Sequence, residues 1–426
     1  LPAPLRALFA RPVLANSVAL IALRATNLGA RLVLLFVLAR LVLPAEFGLV
    51  VFALSLVEIA KVLSDFGMDT LAIREYALAQ DGAQRATFAA SLAAAKVMSG
   101  VGVYAALAGY FVLTRSRPQA ELGLVLGLSI LTALLTNFSL DYFQGRLRVL
   151  RVLPRVLWLN LALTLTAVLL LPRIPGLVTQ VLCFPVIEAA TGLALLLALR
   201  QEGLLGRPTF AFGEVAPLLR RSVPIAITAI VIMIYSRMDV LVLSSRLGET
   251  AVGYYGIAFR MTEPFQIAAA AFGLSVFSRF SAMFHAPKHA ALGPLAARYV
   301  ASTLGYGVAT ALALGLLAPP LVARWLPAYA SATPILRILA GALVFRTLNA
   351  TLAGILQGAG RFRLLTGFAL WNLLLTYGLL VVLVPRFGGP GVAWAGLIGE
   401  GFNSLLQLAL VARTIAARER TVAHVG

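Results

Sequence analysis

Cysteine is almost missing from this chain: Cys183 stands alone among 426 residues. No internal disulfide and no cysteine-built metal cluster can form from it. Histidine is nearly as scarce, with three residues. Two of them, His285 and His289 in "FHAPKHA", have metal-ligand spacing, but Pro287 between them breaks the helix such a pair needs. A solvated loop is the expectation there. Charge is thin as well, since Asp, Glu, Lys and Arg together make up 12% of the chain. A soluble protein needs far more polar surface than that. No phosphate-binding Walker loop and no paired carboxylates in an exposed loop are present, so nothing points to hydrolysis or ATP use. Acidic residues number 16 against 35 basic ones, a net charge of +19. In a soluble protein that excess would suggest nucleic acid. Here the basic residues are dispersed, and no segment outside the apolar runs gathers base with aromatics, which excludes a nucleic-acid partner.

What the chain has in abundance is apolar length. Hydrophobic residues make up 61% of it and the mean hydropathy is +0.94. A membrane span takes about 20 mostly apolar residues. On that scale helices fall near 15–42, 49–67, 87–113, 121–143, 152–171 and 175–199. A second set falls near 223–245, 252–284, 299–322, 332–357, 364–385 and 390–412. The expected fold is therefore all-α, a polytopic membrane protein of twelve spans. The first apolar run, Ala15 to Leu43, is too long for a cleavable signal peptide, and a first residue that is Leu rather than Met points to a trimmed start. Short loops leave no room for a soluble catalytic domain.

Orientation follows from the basic residues, counting those near a span's end with the adjoining loop. The N-terminus, the even-numbered loops and the C-terminus hold 20, and the odd-numbered loops hold 7. By the positive-inside rule both termini are cytoplasmic. The longest connection, Arg200 to Ser222, divides the chain into lobes at 1–199 and 223–426. Its second half sets Phe212, Val215, Leu218 and Leu219 beside Arg220 and Arg221. That pattern predicts a short amphipathic helix on the cytoplasmic face, its basic end meeting anionic lipid headgroups.

The two halves also match each other. "RLVLPAEFGLVVFA" after the first span compares with "RLGETAVGYYGIA" after the seventh, placing Gly48 on Gly253 and Ala53 on Ala258. "FQGRLRVL" after the fourth compares with "LQGAGRFRLL" after the tenth, placing Gln144 on Gln357. Corresponding spans lie six apart, so the repeat is parallel, and transporters built from repeats hold substrate where the halves meet.

Eight basic residues fall inside spans: Arg24, Arg31, Lys61, Lys96, Arg237, Arg260, Arg337 and Arg346. On a helix, positions i, i+3 and i+7 share a face. Ser17, Arg24, Asn27 and Arg31 form such a stripe in the first span, and Glu58, Lys61 and Asp65 form one in the second. Asn137, Asp141 and Gln144 do so in the fourth, and Glu400, Asn403 and Gln407 in the twelfth. Arg260 and Glu263 are an i, i+3 pair in the eighth. Intramembrane charges of this kind face a bundle interior or a wet cavity. Plainer readings stand beside that one. Arg40, Lys96, Arg246, Arg279 and Arg324, and equally Arg337, snorkel from span ends to the interface. Glu58, Lys61 and Asp65 either neutralise one another as a structural network or serve transport. Arg24, Arg31, Arg237 and Arg346 have no opposite charge three or four residues away, which favours an aqueous cavity. Arg237 and Asp239 lie two residues apart and point about 200° from each other. They cannot be each other's partner, so each must face a different neighbour.

"LARLVLPAEFGLVVFALSLV" (Leu38 to Val57) followed by "DFGMDTLAIREYA" (Asp65 to Ala77) resembles the start of bacterial polysaccharide and O-antigen flippases of the multidrug/oligosaccharidyl-lipid/polysaccharide (MOP) exporter superfamily. "SRMDVLVLSSRLGETAVGYYGIAFRMTEP" (Ser236 to Pro264) is similar to the same family's second half. Leu43 departs from it, where the family often has Gly before the Pro of the first turn. The resemblance implies two six-helix lobes around a central cationic cavity in the bacterial inner membrane. It implies a substrate of undecaprenyl-diphosphate-linked oligosaccharide, carried across by rocking of the lobes. Arginine suits a diphosphate because it stays charged and grips phosphate oxygens bidentately. The substrate surface expected on that basis is Arg24, Arg31, Arg237 and Arg260 with Arg346, and Asn27, Tyr254, Tyr255 and Gln266 for sugar hydroxyls. Glu58, Lys61, Asp65, Asp239 and Glu263 are candidates for H⁺ or Na⁺ coupling or for a structural charge network. The resemblance also divides Arg237 from Asp239, implying Arg237 in the cavity and Asp239 against a neighbouring helix, at an arginine of the eighth or tenth span. No other cofactor is implied. A monomer is expected, with other polysaccharide-assembly membrane proteins as possible partners.

A multidrug/cation antiporter of the same superfamily needs an intramembrane acid in its first lobe, and the first span has two arginines and none. A peptidoglycan-precursor flippase generally has two further spans, and none follows Arg413. A facilitator of the major class lacks its Gly-Asp-Arg-rich motif here. A membrane-bound glycan polymerase lacks its long periplasmic loop.

Overall fold

The structure is a computed structural model that describes residues 12–79, 81–203, 212–285 and 292–425. His289 and Pro287 lie outside them. The described residues are helical, with no strand among them. The first helices are α1 (Pro12–Leu41), α2 (Pro44–Asp65), α3 (Met68–Leu78), α4 (Gly82–Thr114) and α5 (Arg117–Gly145). Then come α6 (Val149–Leu170), α7 (Leu177–Val181), α8 (Cys183–Gln201) and α9 (Phe212–Leu247). The last are α10 (Glu249–His285), α11 (Leu292–Trp325), α12 (Thr333–Gly358), α13 (Phe362–Phe387) and α14 (Gly389–Val425). Twelve segments among them are long and apolar enough to cross a membrane, and they coincide with the twelve expected spans. This is a multi-pass membrane protein. Large apolar side chains such as Trp158, Leu113 and Leu316 stand exposed on the outside of the helices, where lipid rather than water covers them.

Two compact units divide the chain. One comprises Leu1–Val42 and Leu49–Arg237, and the other Leu43–Gly48 and Met238–Gly426. The boundary falls inside α9 rather than in the connection near 200–222. Residues 204–211 of that connection are outside the described ones. From Phe212 onward the connection and the seventh span form one helix of 36 residues. Val215 and Leu218 are buried in the core of the first unit beside Tyr76, Leu92 and Val152, and Arg221 forms an ion pair with Glu75. At Val215 and Leu218, then, the apolar face of the expected amphipathic helix packs on protein.

The internal repeat is visible in backbone detail. After α5, Arg146 N donates to Tyr142 O, Leu147 N to Gln144 O and Arg148 N to Phe143 O. After α12, Ala359 N donates to Ile355 O, Gly360 N to Gln357 O and Arg361 N to Leu356 O. Every atom pair is shifted by the same 213 positions that the sequence match gives. Both turns are Schellman caps, and the residue that must adopt positive φ is Leu147 (53°) in one and Gly360 (74°) in the other. The halves differ where α10 runs unbroken, while its counterpart is cut into α2 and α3 at Phe66 and Gly67, both with positive φ. Asp65 caps the break, accepting from Asp69 N at 3.0 Å. A side chain at Gly67 would meet the backbone of Ala226, so glycine is required there.

The turn before α2 forms without the family's usual glycine. Leu43 is exposed, Pro44 opens the helix, and Glu46 reaches back to accept from Leu43 N at 3.0 Å. Within the second unit, the repeat partners Gly48 and Gly253 lie against each other. A Cβ on Gly48 would fall on the carbonyl oxygen of Glu249, and one on Gly253 would fall on that of Pro44. Both obstacles are backbone and cannot swing away, so small residues hold this crossing as they do in other membrane helix pairs. Gly48→Ala and Gly253→Ala are each expected to destabilise the protein by about 1–3 kcal/mol through overpacking, read as a lower melting temperature in detergent. Gly102→Ala, where nothing stands within 4 Å, is the control expected to leave it unchanged.

Candidate functional site

The first unit contains a cavity of about 360 Å³. Its charged and polar lining comes from α1 (Asn27, Arg31), α2 (Glu58, Lys61), α5 (Ser129, Thr136), α6 (Asn160) and α8 (Glu188, Thr191). The helical stripes set this pattern. Arg31 lies on the α1 face that carries Asn27, and Lys61 stands one turn beyond Glu58 on α2. Leu34, Leu54, Val57 and Phe184 close the remainder.

At one side of it a single carboxylate serves two guanidiniums. Glu58 forms ion pairs with Arg31 through one oxygen and with Arg237 of α9 through the other. Glu58 and Arg237 are well shielded, with side chains 13% and 14% exposed. One turn along α2, Lys61 Nζ donates to both oxygens of Glu188 at 2.7 and 2.8 Å. Thr132 adds a third bond to Glu188, at 3.2 Å. Asn160 Nδ2 donates to Asn27 Oδ1 at 2.7 Å, and Thr191 Oγ1 donates to Asn160 Oδ1 at 2.8 Å. The lining itself carries two basic and two acidic side chains, Arg31 and Lys61 with Glu58 and Glu188, and Arg237 is a second guanidinium on Glu58. Arg24, two turns before Arg31 on α1, is exposed and is not among the residues that line the cavity.

Glu58, Lys61 and Asp65 therefore do not neutralise one another. Each finds its partner on a different helix, and Asp65 belongs to a separate cluster. At its centre is Lys96 of α4, 1% exposed, not at an interface as its place in the apolar run implied. Helix α4 begins at Gly82, which leaves Lys96 about four turns deep. Its ammonium lies 3.0 Å from Asp141 and 3.5 Å from Asp65, and it also pairs with Asp69. Asn137 Nδ2 donates to the other Asp69 oxygen at 3.0 Å. Burial opposes charge on Asp69, but the Lys96 ammonium holds its carboxyl below the usual carboxylate range. The other expected snorkelling residues, Arg40, Arg246, Arg279, Arg324 and Arg337, are exposed.

The second unit holds its charges differently. Arg260 is 2% exposed and paired with Glu263 at 3.1 Å, so it is packed in the interior rather than open to a substrate. Arg346 pairs with Glu400 at 3.3 Å and lies 5.8 Å over the Phe259 ring. Asn349 donates to the same glutamate at 2.8 Å and accepts from Ser404 at 2.8 Å. Asp239 accepts from the Tyr255 hydroxyl and, at 2.8 Å, from Val240 N. Its side-chain partner is thus a tyrosine of the eighth span, not an arginine. Tyr255 is buried and committed to that bond. Tyr254 meets Tyr329 edge-on at 6.3 Å, and Gln266 donates to Thr262 at 3.3 Å. Glu188, Lys96 and Asp69 were missed as members of charged sites. A lysine in the middle of an apolar run with no acid on its own face was the signal.

A sequence profile described as polysaccharide biosynthesis protein matches residues 13–284. The chain belongs to that family. A second profile, MatE, matches residues 224–382. Among proteins of curated function, none matches the chain in sequence. Solved structures share its fold at low identity. One is an inward-facing multidrug resistance MATE family transporter of the MOP superfamily, 16% identical, with 95% of this chain and 99% of that one covered and a TM-score of 0.74. Another is the lipid II flippase MurJ in an inward closed conformation, 15% identical, with 96% and 90% covered and a TM-score of 0.75. A third is a MOP superfamily transporter from Pyrococcus furiosus, whose reverse polarity of binding pocket suggests a different function, 15% identical, with 96% and 97% covered and a TM-score of 0.62. The fold is that of the MOP superfamily.

Proposed function

We propose that this protein flips a polyprenyl-diphosphate-linked oligosaccharide across the bacterial inner membrane, as a transporter rather than an enzyme. The observation that carries the reading is Glu58, in the wall of the first unit's cavity, shared between the two guanidiniums of Arg31 and Arg237. A diphosphate entering a low-dielectric site gains from positive partners already in place. A cationic drug would find the two carboxylates of the cavity, Glu58 and Glu188, already paired with bases. Membership of the polysaccharide biosynthesis family supports a glycan cargo, and a flippase of a lipid-linked precursor shares the fold. The distribution of basic residues supports cytoplasmic termini. Asn27, Asn160 and Thr191 supply the hydroxyl-matching donors and acceptors. Glu188 and Glu58 are the acids available for ion coupling.

The test is reconstitution in proteoliposomes with a fluorescent polyprenyl-diphosphate oligosaccharide in one arm and a cationic dye in the other, with and without proton or sodium gradients. Protein-dependent movement of the glycolipid alone is expected. Movement of the dye without the glycolipid would overturn the reading.

A further inference from the structure

The turn between α5 and α6 and the end of α8 gather arginines with too few acids to match them. Arg148 and Arg151 share one carboxylate, Glu202, which pairs with the first and lies 2.9 Å from the second. Arg155, one turn further along α6, donates to the neutral Gln201 side chain at 3.1 Å. Arg146 and Arg200 flank these groups in sequence, and neither forms an ion pair among the described residues. Arg146 Nε is buried without a hydrogen-bond partner. Acids are favoured at a helix start, where the macrodipole is positive. The first turn of α6 has none, and its first amide, Val149 N, donates to the neutral Asn16 at 2.8 Å. Basic side chains thus crowd the positive end of a helix of 22 residues.

The face of α6 that carries them leads into the bilayer. Arg151 and Arg155 are exposed, and Trp158, Leu161 and Leu165 continue the same face at helical spacing. All three are exposed, Trp158 by 74%. At 1.5 Å per residue, Arg151 stands about 28 Å from Leu170 at the far end of α6, close to the thickness of the hydrocarbon core. The guanidiniums therefore reach headgroup depth, and the indole lies just inside them, at the level where tryptophan concentrates in membrane proteins.

We infer that this surface binds an anionic phospholipid of the bilayer, its phosphate held by the arginines around the α5–α6 turn and its acyl chains lying along Trp158, Leu161 and Leu165. Glu202 fixes Arg148 and Arg151 in place, and the excess of arginine over acid remains for the headgroup. Guanidiniums match phosphate oxygens with paired N–H groups, and basic pockets at the ends of spans suit anionic headgroups. The apolar face that continues from the arginines selects a lipid over a soluble anion. A zwitterionic headgroup brings a cation of its own and gains less. None of these arginines lines the cavity of the first unit, and the site does not rest on the transport reading.

The experiment uses the full chain in neutral detergent, with phosphatidylglycerol, phosphatidylethanolamine or inorganic phosphate added singly. Native mass spectrometry reads lipid retention, and thermal unfolding reads protection. Wild type is expected to retain phosphatidylglycerol and be protected by it, with neither effect from the other two probes. Arg146→Gln, Arg155→Gln and Arg200→Gln combined leave both ion pairs of Glu202 in place. Retention by that variant is expected to weaken by at least about tenfold, as for loss of charged hydrogen bonds. Arg246→Gln, Arg324→Gln and Arg337→Gln combined remove the same charge from exposed positions of the second unit, and are expected to leave retention unchanged. Gln201→Glu gives Arg155 an acid of nearly the same size. It is expected to lower retention without lowering the melting temperature in lipid-free detergent, which decides the matter even if the first triple variant does not fold. Phosphatidylethanolamine retained as well as phosphatidylglycerol, or protection by inorganic phosphate alone, would overturn the proposal. So would equal loss of retention in the two triple variants, or wild-type retention in Gln201→Glu.

Discussion

Replacing Lys96 by Met is expected to be the most damaging single change in the first unit. The ammonium is surrounded by Asp65, Asp69 and Asp141 and is shut off from solvent. A methionine fills nearly the same volume, so packing is kept while the only cation of the cluster is removed. Breaking a buried ion pair from one side costs about 3–5 kcal/mol, because the opposite charge stays behind without compensation. Here three carboxylates stay behind. The measurement is thermal unfolding of detergent-solubilised protein, together with its yield from the membrane. Adding Asp141→Asn to Lys96→Met removes one stranded charge and is expected to recover part of the loss, whereas Asp141→Asn alone leaves the lysine two acidic partners and is mild. A drop below about 1 °C for Lys96→Met, worth about 1 kcal/mol in a chain of this size, would sink the view that this cluster ties α4 and α5 to the break between α2 and α3.

The span count was legible because hydropathy over twenty residues is a property of one helix read alone. Span ends were less so, and the error at Lys96 shows why. The apolar run suggested a start near 87, but the preceding "GAQRA", with Gln84 and Arg85, continues the helix back to Gly82 and moves the lysine into the interior. The cut between α2 and α3 had no strong signal either, since Gly67 is the only breaker in "SDFGMD" and α10 runs past the matching position intact. Partners across helices were the least legible. The i, i+3 and i+7 rules found Arg31, Glu58 and Lys61 as stripes, yet which stripe meets which depends on helix packing that no local pattern encodes. Glu188 is the only charged residue in an apolar stretch, with just Thr191 at i+3 as a polar neighbour on its face. Gly48 and Gly253 were matched as counterparts in the repeat, and only the structure shows that the counterparts touch.

Arg31 and Arg237 are expected to separate stability from transport in an informative order. Arg31→Gln or Arg237→Gln alone leaves Glu58 with one guanidinium, so the fold is kept while one of the two guanidiniums beside the cavity is lost. Both together strand Glu58 in a shielded position, which confounds any loss of activity with misfolding. The clean variant is therefore triple: Glu58→Gln with Arg31→Gln and Arg237→Gln. It removes every charge of the group, keeps side-chain size nearly constant, and leaves amides able to hydrogen-bond one another. Neutral replacement of a whole buried ion network is often tolerated or stabilising, so its melting temperature is expected near that of wild type. Flipping of the polyprenyl-diphosphate oligosaccharide is expected to fall by at least about tenfold, since each charged hydrogen bond to phosphate is worth about 1.5–3 kcal/mol. Glu58→Gln alone is expected to unfold more readily than either single arginine variant, since two like charges then face each other. It also tests the role of the anion directly, because added substrate diphosphate takes the place of the missing carboxylate and raises the melting temperature more than in wild type. A triple variant that folds and flips at the wild-type rate would show that the positive charge beside this cavity serves structure alone.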